Sequence, residues 1–329
     1  ANDEAEIHRH PDSLLAHTTR MPDVVSYDEE KHALLCASCD SRYDPTREGI
    51  ERAIECCHSL DDVDRDDVPI CSLNLKLSAD ERIQSRYTNA QLRFLQAVYA
   101  AHQQRFDPEL EYSLLTDSMF RLQEYVGIDD AAVDHLLDDG LLAKDCQYPH
   151  VLYTVTASGR KAAKIDHREG VAHGHGTGDL RESSFHVAMV ELGVRYVQTA
   201  FVENPESTVV DVIPYHDVKD GRLDVAGLDE HGDVVVAVEA ERSNNDLLRA
   251  VPTDFDKMAM EEPEAAIWIV ENRDGAHDVL AALNDPPDGD VRVEKTYSPS
   301  SHPQRFTIDT LGLTEMHTFT YLRDSVLEL

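Results

Sequence analysis

The sequence predicts an α/β multidomain chain, and three observations carry that prediction. Five of the six cysteines fall between residues 31 and 75. Helical periodicity from Thr88 gives way to a short β-branched strand at Val151–Thr156. A valine-rich hairpin over Gly221–Glu241 is framed by segments that alternate helix and strand. With 329 residues the chain is long enough for two or three domains, each with a substantial core.

Residues 1–30 are polar, contain Pro11 and Pro22, show little periodicity and read as an arm. Residues 31–75 form a cysteine-rich module. Cys36-Ala37-Ser38-Cys39 follows the apolar run Ala33-Leu34-Leu35, and a helix from about Thr46 ends in Cys56-Cys57-His58. Thiolates and imidazoles are the ligands of tetrahedral structural zinc. The spacing therefore offers Cys36, Cys39, Cys56 and His58 as a zinc set, with Cys57 and Cys71 as substitutes. Adjacent residues late in a helix seldom both reach one metal, so one of each pair is expected to stand aside. Reduced thiols packed in a small helical module are the alternative. The aspartate-rich stretch Asp61–Asp67 leads on to the next unit.

Residues 85–165 read as three helices and a two-stranded wing. Leu92, Leu95, Val98 and Tyr99 recur at helical spacing, as do Met119, Leu122 and Tyr125 around Thr116–Tyr125. A third helix over Ile128–Leu137 opens with Asp129 and Asp130 at its positive end and stops at Gly140. Leu141–Lys144, a polar tip at Tyr148-Pro149-His150 and the strand Val151–Thr156 then form the wing, and a further helix starts at Ala157. This is the winged helix-turn-helix arrangement, whose third helix usually enters the major groove of DNA. That helix here is loaded with Asp129, Asp130, Asp134, Asp138 and Asp139, so the candidate DNA contacts are the nearby Lys144, His150, Arg160 and Lys161. Dimerisation or docking of a protein partner is the alternative use of such a domain. Residues 166–180, rich in glycine and histidine, read as a solvated linker.

Residues 181–329 read as helix 180–200, strand Ser207–Ile213, the hairpin, helix Asn245–Met260, strand Ala265–Val270, helix Ala276–Leu283 and strand Val291–Thr296. The order is αβββαβ; residues 302–329 mix strand and helix signals. Within the hairpin, a two-residue turn at His231-Gly232 would set Asp224 opposite Glu239 and Arg222 opposite Glu241. Alternation then projects all four side chains from one face. Like charges directly opposite are destabilising, so three carboxylates there call for cations: Arg222 answers one, and a divalent metal would answer the rest. Solvated acids partly paired to Arg222 are the bland reading.

Hydrophobic residues make up 41% of the chain and aromatics 6%, with a formal net charge of −34. A polyanion repels a polyanion, which argues against nucleic acid. Yet the acid is spread over every segment instead of gathered in a tail, a bias that resembles the proteins of extreme halophiles. In molar salt the Debye length falls to about 3 Å, so net charge does not exclude DNA. No apolar run approaches bilayer length and no signal-like segment opens the sequence, so no membrane partner and a cytoplasmic location are expected.

An Asp followed on the next strand by Glu-x-Glu or Glu-x-Lys, here Asp224 and Glu239-Ala240-Glu241, resembles the metal site of the PD-(D/E)XK, or restriction-endonuclease-like, nucleases. Glu241 stands where the commonest version has Lys. The combination with Tyr153-Thr154-Val155-Thr156-Ala157-Ser158-Gly159, a helix opening with His186, and Glu239-Ala240-Glu241-Arg242 resembles the replication-relaxation family of plasmids and mobile elements, with Glu241 replacing its Asp. The resemblance spans roughly residues 88–272. It implies a restriction-endonuclease-like fold in a DNA-linked setting, with Asp224 and Glu239 binding Mg²⁺ or Mn²⁺ and Glu241 as ligand or general base. Glu191 would add an outer carboxylate, and Arg222 or Arg242 would bind the scissile phosphate. Metal-dependent phosphodiester hydrolysis leaving a 5′-phosphate is the activity implied. A catalytically inactive DNA-binding regulator, or a protein–protein adaptor, is the alternative.

Overall fold

The computed structural model describes residues 22–28, 31, 33–44, 47–59, 63, 75, 77–102, 112–165, 182–242, 247–287 and 289–327. The chain divides into two compact units, Ala1–His167 and Arg168–Leu329, each mixed α and β. The linker expected at 166–180, and Cys71, lie outside the described residues.

The first unit opens with an antiparallel sheet, β1 (Val25–Asp28), β2 (Ala33–Cys36) and β3 (Arg42–Tyr43), in that spatial order. β1 lies inside the segment expected as a polar arm: Val25 is buried, and the strand pairs with β2 from Val25–Cys36 to Asp28–Ala33. Helix α1 (Arg47–Glu55) covers the sheet with Ile50, Ala53 and Ile54, all fully buried like Leu34 and Cys36.

Helix α2 (Ala79–Gln84) starts at a Ser78–Glu81 capping box. Three helices follow: α3 (Asn89–His102), α4 (Phe120–Val126) and α5 (Asp130–Asp138). Gly127, at φ 75°, closes α4, and the Asp129 carboxylate caps α5 by accepting the Ala132 amide. β4 (Leu142–Cys146) and β5 (Leu152–Val155) pair as an antiparallel hairpin, and α6 (Ala157–Ala162) leaves it through a Thr156 cap. α3 packs on α4 and β5, with Phe94 set edge-on to Tyr153 at 6.0 Å. Helices followed by a two-stranded hairpin is the order that the periodicity predicts.

The second unit is built on a five-stranded sheet of spatial order β10-β9-β8-β7-β6. β6 (Asp211–Val218), β7 (Gly221–Leu228) and β8 (Val234–Glu241) form an antiparallel meander. β9 (Ala265–Val270) joins β8 in parallel after the crossover helix α8 (Leu247–Met260), as a parallel connection requires. Helix α7 (Ser184–Val197) covers one face, helices α8 and α9 (Arg273–Asn284) the other. Ile269, Val225 and Val238 meet α7 at Gly193, whereas Trp268, Ala266 and Ala237 pack with Val251, Phe255 and Val279. Burial on both faces explains why β9 is wholly apolar and reads as one continuous run.

Two expectations are corrected. The strand placed at Ser207–Ile213 runs instead from Asp211 to Val218, its pairing with β7 beginning at Asp211–Leu228. Val291–Thr296 forms no strand: the Arg292 and Val293 amides donate to the Leu283 carbonyl, and Val293 is buried under the end of α9. The edge of β9 is taken by β10 (Glu315–Thr318), in parallel, and α10 (Phe319–Val326) follows with Phe319 edge-on to Phe185 of α7 at 4.9 Å. The segment that mixed strand and helix signals thus supplies the fifth strand of the sheet, Glu315–Thr318.

The loop before β10 is pinned to α8. A Cβ at Gly312 would lie 2.5 Å from the Phe255 carbonyl oxygen and 2.7 Å from its ring, while the Gly312 carbonyl accepts the Trp268 indole N–H at 2.9 Å. Gly312→Ala should therefore destabilise the fold by about 1–3 kcal/mol, the usual range for overpacking; urea denaturation will read this as a lower midpoint at unchanged slope.

Candidate functional site

The β7–β8 register is the one that sets Asp224 against Glu239, although it is reached by a different route. The turn is longer than two residues: the Asp229 amide bonds the Asp233 carbonyl, the Gly232 amide bonds the Asp229 carbonyl, and Gly232 has φ 85°. This matches a three-residue hairpin with glycine in the left-handed position. A β-bulge after Gly227, where the pairing steps from Gly227–Val236 to Leu228–Val234, absorbs the extra residue. The two departures cancel, and Val225 pairs with Val238.

Asp224 sits where regular pairing fails on both sides. The β7–β8 ladder ends at Val225–Val238, and the β6–β7 ladder omits the Tyr215–Asp224 pair. Tyr215, fully packed in the interior, has φ 55°, a left-handed conformation that strains an aromatic residue. In place of a ladder bond, the Ala240 amide donates to Asp224 Oδ2 at 2.8 Å.

Side chains from four elements converge on this gap. His186, capped by Ser183 in the first turn of α7, places Nε2 3.3 Å from Asp224 Oδ2. Glu182, just before α7, has Oε2 3.8 Å from His186 Nδ1 and accepts the Tyr215 hydroxyl at 2.9 Å. Glu239 is buried with Lys257 of α8, each side chain 8% exposed, and Lys257 Nζ lies 2.7 Å from Glu239 Oε1. The same ammonium donates to Asp254 Oδ1 and to the Arg222 carbonyl, both at 2.8 Å.

Carboxylates outnumber the cations packed among them. Burial and the neighbouring Asp224 push Glu239 well above the usual carboxylate range, against the pull of Lys257. Burial, Asp254 and Asp224 raise Glu241 to about 8. Burial likewise raises Asp254, although Lys257 opposes it. Burial also works against ionised Asp224, but the His186 imidazolium and the Ala240 amide hold it below its ordinary value. Burial disfavours charge on His186, yet Asp224 and Glu182 carry it well above a free histidine.

Asp224 stands where β7 leaves the β7–β8 ladder, and Glu239 and Glu241 follow on β8 beyond the last paired residue, Val238. They do not close into a tight ligand cage: among the described residues, the only His, Cys, Asp or Glu group of three or more with all ligand atoms within 4.8 Å is a cysteine cluster. Three expectations change. Glu191 is not an outer carboxylate of the site, because it lies further along α7 and accepts from Arg195 Nε at 2.8 Å. Arg222 does not pair across to Glu241; it stacks over the Tyr215 ring at 5.2 Å and reaches Glu182 at 3.9 Å. Arg242 donates to Ser183 Oγ at 2.5 Å and lies over the Phe185 ring, so it braces the start of α7.

Sequence reasoning missed Lys257, Asp254, Glu182 and Tyr215. The one signal available was Asp254-x-x-Lys257 on a predicted helix, an i,i+3 pair that reads as a solvated surface bridge. His186 was marked by the family resemblance alone.

In the first unit, Cys36, Cys39, Cys56 and Cys57 bring their sulfurs within 4.8 Å of one another and could hold a metal ion. A tetrahedral zinc with bonds of about 2.3 Å spaces its sulfurs roughly 3.8 Å apart, and Cys39–Cys56 at 3.4 Å and Cys56–Cys57 at 3.9 Å fit that spacing. The correction is Cys57 for His58, whose Nε2 hydrogen-bonds Ser38 Oγ at 2.7 Å. Both adjacent cysteines reach the cluster because α1 has already ended at Glu55 and the chain is turning. The Ser41 hydroxyl lowers the Cys39 thiol to about 6, while bonds from Cys39 and Cys36 push Cys57 up to about 12, so four thiolates do not coexist without a cation.

The candidate DNA contacts divide. Lys144 on β4 and Lys161 on α6 are exposed. Arg160 donates to the Val155 carbonyl at 3.0 Å, and His150 Nε2 donates to the Leu114 carbonyl at 2.7 Å, so both serve the fold. Asp130, Asp134 and Asp138 of α5 face solvent.

A carboxyl raised from 4.5 to about 8 stabilises the folded state fully below pH 4.5 and loses that contribution as pH rises towards 8. Glu241→Gln, which keeps the neutral form, should therefore gain on the parent protein progressively between pH 5 and pH 8. Thermal melts across that window check this, and a constant difference would show Glu241 ionised throughout. Set against family models, curated proteins and solved structures, the chain matches none of them.

Proposed function

We propose that this is a DNA-associated protein whose second unit is a restriction-endonuclease-like domain hydrolysing phosphodiesters with Mg²⁺ or Mn²⁺. The observation that carries this reading is the convergence of Asp224, Glu239 and Lys257, from two strands and the following helix, where β7 loses its backbone pairing. The helix–three strands–helix–strand order and the resemblance to the replication-relaxation family point the same way. Mg²⁺ typically takes one or two carboxylates and completes its shell with water and phosphate oxygens. Asp224 and Glu239 suit that role without a third close ligand. The ion would polarise the phosphoryl oxygen and acidify a bound water.

Around that centre the chain's own groups have distinct tasks. Lys257 offsets the charge of Glu239 and ties α8 to the β7 backbone at Arg222. Glu241, with its proton leaving near pH 8, is suited to accept one from water. Arg222, which flanks Asp224 on β7, and Arg242, which follows Glu241, are the two guanidinium groups this reading assigns to the scissile phosphate. In the first unit the three helices and the β4–β5 hairpin would act as a winged helix, contacting DNA through Lys144 and Lys161, with zinc in the four-thiol cluster bracing the preceding sheet. The evenly spread acid suits molar salt, where screening permits a polyanion to approach.

A second reading is favoured by Lys257 and His186, which already serve as counter-charges to Glu239 and Asp224. In that reading the domain is catalytically silent and the protein is a DNA-binding regulator or adaptor.

Nicking of supercoiled plasmid with Mn²⁺ in molar KCl separates the two. The parent protein should nick, and Asp224→Ala and Glu239→Ala should each lose about 100-fold or more; activity unchanged in both removes the hydrolase reading. Elemental analysis should find one zinc per chain, lost in the Cys36→Ser, Cys39→Ser double variant; a metal-free parent protein would dismiss the zinc.

A further inference from the structure

We propose that Cys39 and Cys56 are a reversible redox pair, which closes as a disulfide under hydrogen peroxide and so dismantles the four-thiol cluster of the first unit. The pairing rests on the thiol geometry. The loss of metal that accompanies it rests on the zinc reading given above.

The turn after β2 keeps one sulfur inside and presents another to solvent. Cys36 is buried in β2, where its amide donates to the Ser41 carbonyl at 3.0 Å. The chain then reverses on the Cys36 carbonyl, which accepts the Cys39 amide at 3.3 Å and the Asp40 amide at 2.9 Å. Asp40 completes the reversal at φ 57°, a left-handed conformation that aspartate tolerates better than most residues. Cys39 is thereby placed on the exposed tip, with Sγ 3.1 Å from Ser41 Oγ. An oxidant reaches an exposed thiol and not a buried one.

Cys57 is exposed as well, but it neighbours Cys56 along the chain. Adjacent Cα atoms lie about 3.8 Å apart across a trans peptide, short of the roughly 4.4 Å or more that an unstrained disulfide spans. Cys39 and Cys56 are 17 residues apart and escape that limit. Their sulfurs already stand 3.4 Å from one another, so a bond of about 2.05 Å closes a gap of about 1.4 Å.

The chemistry balances with hydrogen peroxide as oxidant. The Cys39 thiolate attacks one peroxide oxygen; an S–O bond forms, the O–O bond breaks, and the departing hydroxide takes a proton and leaves as water. The Cys56 thiolate then attacks the sulfenic sulfur, the S–S bond forms, and the S–O bond breaks with loss of a second hydroxide, again protonated to water. Two thiols give up two electrons, and one peroxide becomes two waters. Two of the four sulfurs are then no longer thiolates and cease to serve as metal ligands. The new bond joins the turn after β2 to the end of α1, so the module keeps its tie while it gives up its cation.

The test is peptide mapping by mass spectrometry of the full chain, purified under reductant and then exposed to hydrogen peroxide, with zinc release followed by a chromogenic chelator. The parent protein should lose its zinc and yield a Cys39–Cys56 cross-linked peptide that dithiothreitol removes. Dimedone present during oxidation should label Cys39 at the expense of that cross-link. A cross-link from Cys39 to Cys36 or Cys57 in its place, or a Cys39 that survives peroxide as a free thiol, overturns the pair. If the Cys39–Cys56 cross-link forms in a chain that holds no zinc, the zinc reading falls and the redox pair stands.

Discussion

The bond from the Ala240 amide to the Asp224 carboxylate is the constraint on which the second unit's site depends. A buried amide at the end of a ladder needs an acceptor, and here the acceptor is a side chain and not the facing carbonyl. That substitution lets β7 and β8 end their pairing at Val225–Val238 without an orphaned donor. With the His186 imidazolium, the stronger influence, it holds buried Asp224 below its ordinary value, and Glu182 lies 3.8 Å from the other ring nitrogen of His186. Beyond the gap, β8 continues in register with β9 as far as Glu241–Val270, so Glu239 and Glu241 are held, buried, on a strand that is still paired on one side. Lys257, 2.7 Å from Glu239, balances a charge that the interior would otherwise not tolerate.

The thiol cluster solves a similar problem by different means. The small β1–β3 sheet with α1 has few apolar side chains, chiefly Leu34, Ile50, Ala53 and Ile54, and such modules commonly need a metal to be stable. Cys36 is buried within β2, whereas Cys39 lies on the exposed turn after it and Cys56 and Cys57 follow α1. A cation shared by the four would tie the turn to the helix end.

Much of this was legible because it depended on local periodicity. Gly221–Leu228 and Val234–Glu241 are strands that alternation defines, and the register of Asp224 with Glu239 followed even though the turn was misjudged, because the bulge compensated. The β9 run was equally plain. What escaped was tertiary. Lys257 belongs to the site only because α8 crosses back over β7 and β8, a crossing that no spacing within Leu247–Met260 reveals. Glu315–Thr318 is a strand because β9 presents a bare edge, not because Glu-Met-His-Thr favours one. Cys57 displaced His58 because the helix stopped one turn sooner than the sequence suggested. Tyr215 carried no signal at all, since its conformation is imposed from outside the strand.

The kink at Tyr215 also bears on how this sheet meets other molecules. β6 is an outer strand, and an outer strand with regular amides invites a foreign strand to add to it. Here Pro214 has no amide hydrogen and Tyr215 is turned out of the pleat, so the row of donors is interrupted at mid-strand. Protection by repulsion between charges fades as salt rises. Protection by a missing donor and a bent backbone does not, and it would keep these molecules from joining edge to edge even in brine.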